Sequence, residues 1–182
     1  MRVLVVYHSV TSNTEKVAQA IHKEASKDHE AHLKKIEEAT PRDLEGYDLV
    51  FLGAPCHDTD LSRPAKRLLE ALPRNPRYKL AGFYTHATLP RDAQWIPGAA
   101  DYFDRWAAKG PRTLEKACQE KGIRYLGLYN CMGAPSPGIE AFIRWTIIYE
   151  EDWEMYAREV RRHPTPEDLR RAREFARENL KG

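Results

Sequence analysis

The sequence predicts an α/β protein built on a doubly wound parallel sheet. Short apolar runs alternate with amphipathic helical stretches along the chain. The runs are apolar at consecutive positions, as strands covered on both faces must be. No internal repeat or linker-like stretch divides the 182 residues, a length that suits about one domain with a full core.

Arg2 to Tyr7 reads as a buried strand, short and β-branched between polar residues. His8 to Thr14 is a polar loop. The helix after it has Val17, Ile21 and Ala25 on one stripe and Glu15, Lys16, Gln19 and Lys23 off it. Ala31 to Ile36 is a weaker strand whose exposed lysines suit a place near a sheet edge. Asp48 to Ala54 is the clearest central strand. Pro64 to Leu72 is a short helix with Leu68, Leu69 and Leu72 as its apolar contacts, and Lys79 to Thr85 is the next strand. Ala99 to Lys121 reads as mostly helical, with an interruption expected at Gly110-Pro111. Ile123 to Asn130 is the fifth strand. The last helix has Thr165 as N-cap, Pro166 at its first position, and Glu167 and Asp168 in its first turn. Leu169, Ala172, Phe175, Ala176 and Leu180 form its buried stripe.

One segment is extra. Residues 135–163 are rich in aromatics (Phe142, Trp145, Tyr149, Trp153, Tyr156) and are expected to be helical. Ile139, Phe142 and Ile143 fall at i, i+3 and i+4, so a helix over 138–162 would have an apolar side. That side is expected either to cover hydrophobic surface near the fifth strand or to form a dimer or partner interface.

Composition excludes several classes. The net charge is +2, and no block of Lys/Arg interleaved with aromatics gives a nucleic-acid footprint. No apolar run approaches the roughly 18 residues of a membrane span. Val3 to Tyr7 lacks the length and the cleavage site of a secretory signal, so the cytoplasm is the expected location. Cys56, Cys118 and Cys131 are an odd number without C-x-x-C spacing, which speaks against a disulfide framework or a zinc site.

Ligands of open α/β sheets sit beyond the carboxyl ends of the strands. The loop after the first strand offers the hydroxyls of Ser9, Thr11, Ser12 and Thr14, the Asn13 amide and the free N–H groups of a helix start. Together with the helix dipole these make an anion site, although a plain capping turn would carry the same residues. Without lysine or G-x-x-x-x-G-K-[ST] it is not a nucleoside-triphosphate loop, and without G-x-G-x-x-G a dinucleotide site is disfavoured. A phospho-receiver domain would need adjacent acidic residues after the first strand, and Tyr7-His8-Ser9 supplies none. No metalloprotease or serine-hydrolase motif appears.

Ser9 to Ala18 resembles the phosphate-binding signature of the flavodoxin family, which holds the phosphate of FMN without a basic side chain. Tyr47 to Pro55 resembles the family's third strand and the start of its second flavin loop. His163 to Asp168, followed by Ala172 and Phe175, is similar to its last helix. The resemblance covers the chain except for about 28 residues before His163. It implies a flavodoxin-like five-stranded sheet of order 2-1-3-4-5, helices on both faces, and bound FMN. By the resemblance Ser9, Thr11, Asn13 and Thr14 would hold the phosphate. Ser12 stands where the family usually has glycine, so a positive φ there would be strained.

The resemblance also places Pro55, Cys56, His57 and Asp58 at the isoalloxazine edge. His57 occupies a position where an aromatic often stacks; it could stack and titrate near neutrality, or be a solvated loop histidine. Cys56 is either a redox thiol or a buried, inert one. The third loop begins Thr85, His86, Ala87, Thr88 and contains Trp95, which would either stack on the flavin or pack under its own loop. Cys131, Met132 and Gly133 are expected to pack near that end without reacting.

The function implied is electron transfer through FMN to a redox partner protein or a small-molecule acceptor, with the protein tuning the flavin. An FMN-dependent NAD(P)H:quinone-type reductase is the alternative. It gains from a chain less acidic than the family's carriers and loses from the lack of a nicotinamide motif. A flavodoxin-fold binding module without flavin is a further alternative because of Ser12.

Overall fold

The structure, a computed structural model, describes residues 1–181 apart from 92, 95 and 97. In chain order its elements are β1 (Arg2–Tyr7), α1 (Asn13–Ala25), β2 (Glu30–Lys35), α2 (Pro41–Leu44), β3 (Leu49–His57), β4 (Asp60–Leu61) and α3 (Arg63–Ala71). There follow β5 (Lys79–His86), α4 (Ala99–Trp106), α5 (Lys109–Lys121), β6 (Arg124–Met132), α6 (Pro137–Thr146), α7 (Glu150–Val160) and α8 (Pro166–Leu180). The main sheet runs β2-β1-β3-β5-β6 with every pair parallel, which is the doubly wound order expected. The lysine-bearing β2 lies at an edge.

Two apolar layers sandwich the sheet because the strands carry apolar side chains on both faces. Val3, Val5, Phe51 and Phe83 pack with Val17, Ile21, Ala172 and Ala176 of α1 and α8. Leu4, Val50, Leu80 and Tyr84 pack with Leu68, Leu69 and Leu114 of α3 and α5. A third cluster joins Leu89, Ile96 and Met132 to Ile143 of α6, Ile148 of the turn after it, and Trp153, Tyr156 and Val160 of α7.

Three details differ from the sequence expectation. Gly110-Pro111 does not interrupt a helix; the break falls at Ala107 and Ala108, and Pro111 is the third residue of α5. A first-turn proline removes an N–H that has no helical partner anyway. Gly110 is required there because a Cβ would come within 2.7 Å of the Tyr84 ring. Segment 138–162 is two helices, α6 and α7, not one. Finally β3 runs on to His57 and turns back into β4, where a loop was expected.

Candidate functional site

The carboxyl ends of β1, β3, β5 and β6 open on a cavity of about 470 Å³, within the roughly 300–1,000 Å³ of small-molecule sites. One wall comes from the loops that follow these strands, with Val10, Thr11 and Asn13, then Pro55 to Thr59, then Thr85 to Thr88, then Gly133 to Ser136. The facing wall is α6 and the turn after it, with Ile139, Phe142, Ile143, Ile147 and Ile148, together with Trp106 and Tyr156.

The first loop turns sharply because Ser12, the N-cap of α1, is left-handed at φ 61°, a conformation that costs an L residue roughly 1–2 kcal/mol. This is the position where the sequence predicts strain. The first helical bond is Lys16 N–H to Ser12 O, and the Glu15 N–H goes to Ser9 Oγ at 3.4 Å. The amides of Asn13 and Thr14 therefore precede the helical ladder and face the positive end of the α1 dipole. Asn13 is buried, and its Nδ2 donates to Thr11 Oγ1 (2.9 Å) and to Ala134 O (2.7 Å), tying the β1 loop to the β6 loop. Gly133 permits that approach, since a Cβ there would lie 2.9 Å from Asn13 Nδ2. Thr14 Oγ1 is 2.8 Å from Thr85 Oγ1 in the core, so its hydroxyl links the first loop to the third.

The second loop is a two-residue hairpin in which His57 pairs with Asp60. Asp58 and Thr59 both have positive φ, 51° and 67°, as the tight turn matched to sheet twist demands. Asp60 anchors the turn. Burial favours its neutral form, but the Thr113 hydroxyl, the Leu61 N–H and Lys66 outweigh that and hold the carboxyl below its usual range. Cys56 Sγ donates to Trp106 O, and burial pushes its thiol up to about 11, which favours the inert reading. His57 is exposed at the mouth, edge-on to the half-buried His8 with ring centroids 5.9 Å apart. Partial burial and then the His8 ring lower its proton affinity.

In the third loop His86 is buried, with Nδ1 3.1 Å from Thr88 O and Nε2 3.2 Å from the Asn130 side-chain amide. Burial pushes its pKa down to about 4, so the ring is neutral at physiological pH. The Tyr156 hydroxyl donates to Ala87 O, fastening α7 to this loop. Thr88 Oγ1 is buried on the cavity wall without a partner.

Of the residues expected at the site, Thr11, Asn13, Pro55, Cys56, His57, Asp58, Thr85, His86, Ala87 and Thr88 line the cavity. Ser9, Ser12 and Thr14 shape the turn behind it rather than the wall. Trp95 lies outside the described residues. Sequence reasoning missed Trp106, Ala134 to Ser136, Tyr156 and the α6 face. The i, i+3, i+4 spacing of Ile139, Phe142 and Ile143 marks an apolar side but does not say what it faces.

A family model described as a flavodoxin domain matches residues 4–177. Along its whole length the chain is 23% identical to an uncharacterized protein of Methanocaldococcus jannaschii, covering 99% of it. It is 26% identical to the flavodoxin-like domain-containing protein BilS of Clostridioides difficile, over 97% of this chain and 95% of that protein. Its fold is similar to that of oxidised Flavodoxin 1 from Bacillus cereus, with a TM-score of 0.62, 18% identity and coverage of 100% and 98%. It is also similar to Fusobacterium nucleatum flavodoxin bound to flavin mononucleotide, with a TM-score of 0.59, 12% identity and coverage of 99% and 97%.

Proposed function

The chain belongs to the flavodoxin family, and from that premise we propose that it binds FMN in the cavity and passes electrons through it to a redox partner protein. The observation that carries the reading is the joining, in one cavity, of a left-handed turn at a helix start to an apolar chamber. The Asn13 and Thr14 amides and the Thr11 hydroxyl suit a phosphate without any lysine. The unpartnered Thr88 hydroxyl gives a ring nitrogen or oxygen a hydrogen-bonding partner. Bound FMN supplies the electron chemistry. Asn13 positions the turn, His86 stays neutral behind the Thr88 loop, and the buried Ile143 of α6 with Ile148 after it keeps water from that side of the chamber.

A second reading, an FMN-dependent reductase of an uncharged small molecule, is favoured by one feature. Ile139 and Phe142 line the cavity yet remain about half exposed, which leaves an apolar mouth. Incubation with FMN followed by gel filtration tests the binding. A yellow protein with one flavin per chain is expected, and a colourless protein that leaves FMN fluorescence unquenched contradicts it. Anaerobic NADPH then separates the readings. Bleaching that quinone reverses supports the reductase, and an unbleached protein supports the carrier.

Among the described residues, no helix is long and apolar enough to cross a membrane.

A further inference from the structure

Histidine is the side chain whose ordinary titration falls between pH 5 and 8, and two histidines line the cavity, His57 and His86. His86 is buried between the Thr88 carbonyl and Asn130, and burial lowers its pKa to about 4, so it stays neutral near pH 7. Cys56 keeps its proton, and the Tyr156 hydroxyl is committed to Ala87 O. His57 differs from all of these, since it touches the cavity on one side and solvent on the other.

His57 also has company. The His8 ring meets it edge-on, with an interplanar angle of 88°. Beyond His8, Nε2 lies 3.9 Å from Glu37 Oε1, and Glu37 is more than half exposed. His8 Nδ1 is buried without a hydrogen-bond partner. The three groups form a contiguous row: His57 at the end of β3, His8 after β1, and Glu37 in the short 3-10 turn after β2. Asp58, on the hairpin turn itself, favours protonation of His57 but is outweighed by burial and the His8 ring.

We propose that His57 takes up a proton when an electron enters the cavity and returns it when the electron leaves, with His8 and Glu37 as positioning residues behind it. The inference rests on the reading that FMN occupies the cavity. The electron comes from an external donor, either a redox partner or dithionite in the test. The proton comes from solvent and forms an N–H bond at the free nitrogen of the neutral ring, so the charge of the site does not change. Oxidation breaks that N–H bond and releases the proton. The neutral resting ring is supported by its lowered proton affinity, which the negative charge of the electron opposes.

The test uses FMN-loaded wild-type protein, His57→Gln and His8→Gln. Midpoint potential is measured from pH 5 to pH 8, and the imidazole protons are titrated by NMR in the oxidised and dithionite-reduced states. In the wild type, the His57 pKa is expected to rise on reduction by about one unit, a tenfold gain in proton affinity. The potential should carry a pH-dependent component that His57→Gln removes. His8→Gln should raise the His57 pKa in the oxidised state, because the electrostatic influence of the His8 ring that opposes protonation of His57 is removed. An unchanged pH profile in His57→Gln, or a His57 titration identical in both redox states, overturns the proposal. If FMN does not bind at all, the reading of the cavity fails instead. Titration of the flavin-free protein then still tests the pair, and a His57 curve unmoved by His8→Gln overturns their coupling.

Discussion

On the strand side of the cavity, side chains are held by hydrogen bonds between distant parts of the chain. Asn13 reaches Ala134 at 2.7 Å and Thr14 reaches Thr85 at 2.8 Å. On the α6 side the wall is apolar, and packing of Ile143 and Ile148 against Trp153 and Tyr156 of α7 holds it, with the ion pairs Arg161–Glu140 and Arg144–Glu150 outside that packing. On α6 itself, Phe142 at the cavity mouth is 47% exposed and Trp145 is 78% exposed. The two sides divide the labour. Hydrogen-bonded loops on a rigid sheet fix where a polar group can sit, and a packed helix decides how much water reaches it.

The sharpest way to break this division is to remove the anchor of the packed side. Trp153 is 5% exposed, so Trp153→Ala should destabilise the protein by about 3–5 kcal/mol. Trp145→Ala should stay within about 0.5 kcal/mol. Denaturant unfolding of the two variants checks the contrast, and equal midpoints would mean that the wall is not anchored through α7.

A smaller effect is expected at the joint between α7 and α8. Asp168 accepts from His163 Nδ1 (2.6 Å) and from the Thr165 N–H (2.6 Å) and hydroxyl (2.8 Å). Asp168→Ala should cost about 1.5–3 kcal/mol, as for hydrogen bonds to a charged group. Burial works against the charged form of both residues, but their mutual bond prevails, so the Asp168 pKa is lowered and the His163 pKa raised. The Asp168 contribution is present above about pH 3.9, the unfolded carboxyl value, and is lost as pH falls through its lower folded value. The His163 contribution is complete below about pH 6.5 and is lost as pH rises through its higher folded value. His163→Gln should flatten the alkaline limb of a stability–pH curve while Asp168 still sets the acid limb.

The five parallel strands and three of their loops were legible because a strand buried on both faces writes itself as a local apolar run. The Asp58-Thr59 hairpin was not, since its two residues at positive φ include no glycine or asparagine to signal the turn. Reading proline as a terminator puts the helix break at Gly110-Pro111. Its position decides the matter, and in a first turn proline is harmless. The Asn13 to Ala134 bond spans 121 residues and left no local signal. The apolar side of α6 was visible, but periodicity alone does not tell a cavity wall from a core contact.

Within the strand side, Thr14 and Thr11 should separate. The Thr14 hydroxyl is bonded to Thr85 in the core, so Thr14→Ala should lose about 0.5–1.5 kcal/mol of stability in thermal unfolding. Thr11 is exposed on the cavity wall, and Thr11→Ala should leave the fold unchanged. Ser12→Gly should give the smallest change, a gain of up to about 1 kcal/mol once relief of the left-handed strain is offset by the entropy of glycine. Its FMN affinity should be kept or improved; a clear loss would mean that the serine side chain touches the ligand.

The most direct measurement is a paired titration of the protein with FMN and with riboflavin, which lacks the phosphate, followed by flavin fluorescence. The account predicts saturable quenching by both, with FMN bound more tightly, and a preference for FMN that shrinks about tenfold or more in Thr11→Ala, as a hydrogen bond to a charged group implies. Equal affinities for FMN and riboflavin in the wild type would contradict it, because the turn at Ser12 would then hold no phosphate.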